Sequence, residues 1–190
     1  MSAKISIEIS ARHIHLSQKD LETLFGKDYV LTKKKDLSQP GEFAAQETVD
    51  VRFRDKEISN IRVVSPLRPQ TQLEISMTDA YNLGMPAVIR LSGDLKDTPG
   101  ILLFGPNGKI ELKSGVIVAQ RHLHVSFRDA LKLGINGKKS VSVKIAGPRA
   151  TTFHNIIIRK TENYRLALHL DTDEGNAAGI TGKTLGELII

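Results

Sequence analysis

The 190-residue chain contains no cysteine and no tryptophan. Without thiols there is no disulfide scaffold, no cysteine nucleophile, no thiolate zinc knuckle and no cysteine-held iron–sulfur cluster. Aromatic residues are sparse, six phenylalanines and three tyrosines, so platforms for stacking single-stranded nucleic acid are scarce. No run approaches the ~18 consecutive apolar residues of a membrane helix, and the alternating start Met1–Ser10 lacks the apolar core of a signal peptide. Neither sign of charge dominates: 27 Lys+Arg stand against 21 Asp+Glu, a formal +6. The basic residues are scattered, and their run of three, Lys33–Lys34–Lys35, reads as a solvated turn. These features predict a soluble, cytoplasmic protein that binds neither nucleic acid nor membrane and whose surface suits an anionic metabolite.

What the chain does contain is a repeat. Arg12–His13–Ile14–His15–Leu16–Ser17 with Asp20 matches Arg121–His122–Leu123–His124–Val125–Ser126 with Asp129. A third, partial copy, Ser76–Met77–Thr78–Asp79–Ala80 with Leu83–Gly84, keeps the tail and loses both histidines. A serine followed three residues later by an acid is a helix start, and Gly26, Gly84 and Gly134 stand where short helices would stop. Around the copies, Ile5, Ile7 and Ile9, then Val49, Val51 and Phe53, then Val141, Val143 and Ile145 alternate with polar residues, as strands do. Gln39–Pro40–Gly41, Thr98–Pro99–Gly100 and Gly105–Pro106–Asn107–Gly108 are turn chemistry. The pattern predicts a mainly β protein with internal duplication. Two small β-barrel domains capped by short α-helices are expected, over residues 1–114 and 115–190, with strands free to cross the boundary.

Four of the six histidines lie in the two H-x-H pairs. On a strand, residues i and i+2 share a face, so each pair aims two imidazoles at one spot, as two metal ligands would be. The competing reading is histidines that hydrogen-bond across a barrel mouth. His169 is the candidate third ligand, at a strand end that runs into the acidic loop Asp171–Thr172–Asp173–Glu174. Glu74, just ahead of the third copy's serine, takes a place like that of the histidine pairs. Gln120 shares the face of His122 and His124, whereas His154 has no ligand partner nearby. Arg68, flanked by Pro66 and Pro69, sits on restricted backbone and suits bidentate phosphate recognition, or is simply a surface arginine in a proline-rich turn.

The paired motifs Ala11–Ser17 and Gln120–Ser126, followed by His169–Leu170–Asp171–Thr172–Asp173–Glu174–Gly175–Asn176–Ala177–Ala178, resemble the phosphate propanoyltransferases, the PduL-type phosphotransacylases. The resemblance runs over nearly the whole chain. It implies two helix-capped β-barrels with two zinc ions between them, and reversible transfer of a propanoyl or acetyl group between coenzyme A and inorganic phosphate. It further implies His13, His15 and Glu74 on one zinc, His122, His124 and His169 on the other, and Arg68 as the phosphate-binding catalytic residue. Homo-oligomers and association with a bacterial microcompartment for propanediol degradation are compatible with it. The amino-terminal targeting extension of many members is not expected here, because the first motif begins about ten residues from Met1. Two rival readings use the same residues: a zinc-dependent thioesterase-type hydrolase, and a non-enzymatic basic β-barrel binding module with structural zinc.

Overall fold

The computed structural model describes residues 3–190. The chain opens with β1 (Lys4–Ser10). Then come β2 (His13–His15), α1 (Gln18–Phe25), β3 (Lys33–Asp36), β4 (Phe43–Phe53), β5 (Lys56–Val64), β6 (Gln72–Ile75), α2 (Met77–Leu83), β7 (Ile89–Arg90), β8 (Ile101–Phe104), β9 (Lys109–Leu112) and β10 (Val116–Ala119). The last stretch holds β11 (His122–Ser126), α3 (Phe127–Lys132), β12 (Ser140–Ile145), β13 (Thr151–Thr161), β14 (Ala167–Asp171), α4 (Thr172–Ala177) and β15 (Thr184–Ile189).

Two compact units result, one of Arg12–Ala119 and one of the described residues up to Ala11 together with Gln120–Ile190. In the second, six strands close a barrel in the order β1-β14-β11-β13-β12-β15. In the first, nine strands form a curled sheet, ordered β7-β10-β6-β2-β5-β4-β8-β9 with β3 beside β4. The fold is thus mainly β with a few short helices, one unit a closed barrel and the other a curled sheet. A division at 114/115 follows the chain, whereas β1 hydrogen-bonds to β14 and β15, and β10 to β6 and β7.

Alternation explains the strands. Ile5 and Ile7 of β1 are buried, as are Val141, Val143 and Ile145 of β12, and each unit has its own apolar core. The repeated Ser-x-x-Asp tails fold as read. Ser17, Ser76 and Ser126 cap α1, α2 and α3 by accepting from the backbone N–H of Asp20, Asp79 and Asp129. Gly84 ends α2 at φ 68°, where a side chain would be strained.

Two expectations need correction. Lys33–Lys34–Lys35 is not a turn but part of β3, an exposed strand that among the described residues pairs only with β4; lysines on such an edge discourage further pairing. The acidic stretch after His169 is not a loop but α4, with Asp171 and Glu174 forming a reciprocal capping box. Its glycine packs under β1: a Cβ on Gly175 would lie 2.5 Å from Cδ1, the flexible tip of Ile9.

Candidate functional site

The first cluster is built on the antiparallel pair β2 and β6. The register sets His13 opposite Glu74 and His15 opposite Gln72, so the shared face of the H-x-H pair meets a buried carboxylate and a buried amide. One ligand atom from each of His13, His15 and Glu74 lies within 4.8 Å of the others, and His13 Nε2 is 3.7 Å from Glu74 Oε2. His15 Nδ1 donates to the Pro66 carbonyl at 3.2 Å. That fixes the ring proton on Nδ1 and leaves Nε2 as the acceptor.

Arg68 stands at the edge of this cluster. Its backbone N–H donates to Leu16 O at 2.9 Å. Its guanidinium nitrogen NH1 donates to Ser92 Oγ at 2.8 Å and lies 3.9 Å from Glu74 Oε1. Ser92 Oγ in turn donates to Glu74 Oε1 at 2.8 Å, and Gln72 Nε2 donates to the same oxygen at 2.5 Å and to Ser92 Oγ at 3.0 Å. The Gly93 N–H, on Gln72 Oε1 at 2.7 Å, fixes which way that amide points.

These surroundings set the charges. Burial, aided by the positive Arg68, pushes the His15 imidazole down to about 3, so the ring is neutral at neutral pH. Burial opposes charge on Glu74, yet the His13 ring, the Ser92 hydroxyl and Arg68 outweigh it and hold the carboxyl below its usual range. The result is neutral imidazole beside carboxylate beside guanidinium.

The second cluster repeats the plan on β11 and β14. His122 lies opposite His169 in the register, and ligand atoms of His122, His124 and His169 again fall within 4.8 Å of one another. His122 Nδ1 donates to the Gln120 carbonyl at 2.9 Å, the same tautomer-fixing bond that Pro66 gives His15. Where the first cluster sets Gln72 opposite His15, this one sets Ala167 opposite His124. His124 stacks instead on Tyr164, ring centroids 4.1 Å apart and planes 5° from parallel. His169 Nε2 is 3.4 Å from Glu8 Oε2, its cross-strand neighbour on β1.

Both donor sets suit a zinc-like ion. Both ring nitrogens of His124 are buried with no hydrogen-bond partner among the described residues, a costly state for an imidazole unless something accepts its lone pair. Burial, with help from His169 and His122, holds that ring well below the usual imidazole range, hence neutral and able to ligate. Five imidazoles and one carboxylate make a borderline-soft set that disfavours magnesium and calcium.

The structure therefore brings together His13, His15 and Glu74 in one unit, with Arg68 beside them, and His122, His124 and His169 in the other. It does not bring the Gln120 side chain to the second cluster, since that amide donates to Asn155 O at 3.2 Å and only the backbone carbonyl serves. His154 pairs with Ser142 Oγ at 2.8 Å on an exposed surface. Sequence reasoning passed over Gln72, although it lies two residues before Glu74 on the same strand face. It also passed over Ser92, which arrives from the loop after β7 with no pattern to announce it.

Each H-x-H arginine also has a fixed place. Arg12 grips buried Asp79 with Nε to Oδ2 at 3.0 Å and NH2 to Oδ1 at 2.7 Å, and Arg121 Nε meets Glu174 Oε1 at 2.9 Å. Both acids sit in the first turn of the helix that follows the partner strand, α2 after Glu74 and α4 after His169.

Comparison with known proteins points the same way. A family model described as phosphate propanoyltransferase matches residues 6–181. Curated proteins named phosphate propanoyltransferase are similar over nearly the full chain. That of Salmonella typhimurium is 49% identical, covering 92% of this chain and 83% of its own, and that of Thermotoga maritima is 48% identical with the same coverage. The protein from Clostridioides difficile is 42% identical over 98% of this chain and 90% of its own. With the two histidine motifs, His169 and Arg68 all inside the matched span, the chain belongs to the phosphate propanoyltransferase family.

Proposed function

We propose that the protein moves a short acyl group, propanoyl or acetyl, between coenzyme A and inorganic phosphate: acyl-CoA + phosphate = acyl phosphate + CoA. Family membership supports the reaction class. The observation that carries the reading to this chain's residues is the Arg68 guanidinium, held by Ser92 beside the His13, His15 and Glu74 ligand set. An anion-binding group next to a metal-type donor set suits a reaction between phosphate and a thioester.

In this reading His13, His15 and Glu74 would hold one zinc ion, and His122, His124 and His169 a second. Bound there, zinc supplies Lewis-acid polarisation of a thioester carbonyl and positive charge where negative charge develops. Arg68 binds phosphate through its planar fork and turns one phosphate oxygen toward the carbonyl carbon, so the protein contributes mainly position. A phosphorus-bound oxygen forms the new bond to that carbon, the carbon–sulfur bond breaks, and the proton of monohydrogen phosphate ends on the departing thiol. Cysteine is absent, no serine stands in a nucleophile-elbow pattern, and attack is direct within a ternary complex. The Gln72 and Ser92 hydrogen bonds occupy Glu74 Oε1, which leaves Oε2, 3.7 Å from His13 Nε2, as the atom that would ligate a metal held there.

The test follows thiol release from propanoyl-CoA by zinc-loaded protein, with and without phosphate. Release that requires phosphate is expected. Release that ignores phosphate would mark a thioesterase instead, and no release with metal bound would return the protein to the binding-module reading.

A further inference from the structure

We infer that Ser92 is a positioning residue for phosphate use, the single hydroxyl through which the phosphate-binding Arg68 is locked to the carboxylate of the ligand set. The inference rests on the acyl-transfer reading above and deepens it.

A serine hydroxyl has one proton to donate and two lone pairs to accept with. At Ser92 all three are used, and each on a residue of the site. The proton goes to Glu74 Oε1 at 2.8 Å, one lone pair takes Arg68 NH1 at 2.8 Å, and the other takes Gln72 Nε2 at 3.0 Å. The direction of each bond is forced. Guanidinium has no acceptor, and Gln72 Oε1 already holds the Gly93 N–H at 2.7 Å, so its amino group must face Ser92. With both of its nitrogen partners donating, the hydroxyl can only donate to Glu74.

The consequence for Arg68 is geometric. A bare arginine beside a carboxylate would swing onto it, and a carboxylate-bound guanidinium is a poor receptor for phosphate. Here Ser92 takes the NH1 proton and stands between the two groups, so that NH1 stays 3.9 Å from Glu74 Oε1, beyond hydrogen-bond length. Ser92 thus separates the anion-binding group from the ligand carboxylate while fixing both. Gln72 gives Glu74 a second, independent hydrogen bond at 2.5 Å, so loss of Ser92 removes one restraint on Arg68 without stripping the carboxylate of support.

Three measurements test this. Initial rates of thiol release by Ser92→Ala should show a KM for phosphate raised about tenfold, the fold-change of one hydrogen bond to a charged group. The KM for propanoyl-CoA should change less than twofold, and Ser92→Thr, which keeps the hydroxyl, should restore phosphate use. Bound zinc should be the same in wild type and variant. Independently of turnover, the Arg68 Nε–H order parameter from NMR of metal-free protein should fall in Ser92→Ala and recover in Ser92→Thr. Should the alanine variant not fold, Ser92→Cys, close in size but a weak hydrogen-bonding group, serves for the same comparisons. Equal rises in both KM values, or an unchanged Arg68 order parameter, would overturn the role. Wild-type release that ignores phosphate would overturn the acyl-transfer reading itself. Phosphate-dependent wild type with an unaltered Ser92→Ala would overturn only the part assigned to Ser92.

Discussion

At the scale of single residues the site separates charge by burial. His15 and His124 are buried and neutral, while Glu74 keeps its charge because His13, the Ser92 hydroxyl and Arg68 offset its desolvation. The pH dependence of metal-free protein follows. In the unfolded chain both imidazoles take a proton near 6.5, whereas in the native chain His15 does so only at about 3 and His124 is likewise depressed. Between those limits the unfolded state binds more protons, so stability is present above pH 6.5 and drains away as pH falls. The loss is up to about 1.4 kcal/mol per pH unit for each histidine, and Glu74 adds its own loss only below the ordinary carboxyl range. Urea unfolding of chelator-treated protein at pH 7 and pH 5 should therefore show a clearly lower midpoint at pH 5. A flat response would mean these rings accept protons in the native state. Arg68 makes a second prediction at this scale: Arg68→Ala should raise the KM for phosphate by about a hundredfold, as loss of a bidentate charged contact does, with bound zinc unchanged. Zinc content by atomic emission beside phosphate titrations checks both halves.

At the scale of elements one pattern recurs four times: a ligand, an apolar residue, a cap, and an acid three residues beyond the cap. It reads His15–Leu16–Ser17 with Asp20, Glu74–Ile75–Ser76 with Asp79, His124–Val125–Ser126 with Asp129, and His169–Leu170–Asp171 with Glu174. Strand alternation sends the middle residue the opposite way, and Leu16, Ile75, Val125 and Leu170 are all buried, so each ligand is fixed between a core anchor and a helix start. Three copies were legible because serine and aspartate repeat literally. The fourth was not, because aspartate replaces the capping serine, glutamate the acid, and Gly175 argues against a helix until its contact with Ile9 is seen. Gln72 was half legible, from alternation alone. Ser92 was not legible at all, since a loop residue 18 positions from Glu74 reaches it only through the fold. The motif arginines tie the elements together and give a third prediction. Arg12→Ala strips a buried carboxylate of its ion pair and should cost about 2 kcal/mol. Arg121→Ala should cost less, because the Glu174 side chain is 18% exposed against 4% for Asp79. Arg12→Lys should recover part of the loss. Urea midpoints of the three variants give the order.

At the scale of the whole chain, duplication has produced two ligand sets, each within one compact unit and beside that unit's own apolar core. The sets are related in plan, an H-x-H strand antiparallel to a strand that offers one further ligand opposite the first histidine. They differ in character, since one has a carboxylate with Arg68 at its edge and the other has three imidazoles, of which His124 stacks on Tyr164. Because no candidate ligand among the described residues is shared between units, the two sets should bind metal independently. Wild-type protein dialysed against zinc should hold two ions per chain. His169→Ala should hold one, because His122 and His124 alone make a two-ligand site while the Glu74 set is untouched; His13→Ala should likewise hold one. Loss of His13 should abolish phosphate-dependent thiol release, since Arg68 stands beside that set. The thermal midpoint of each variant, taken with and without zinc, separates a lost ligand from a lost fold: the surviving set should still raise it on adding zinc, by mass action on the native state. A His169→Ala protein that retained two ions would show that His169 is no ligand, and one that held none would show that the two sets bind as a single site rather than unit by unit.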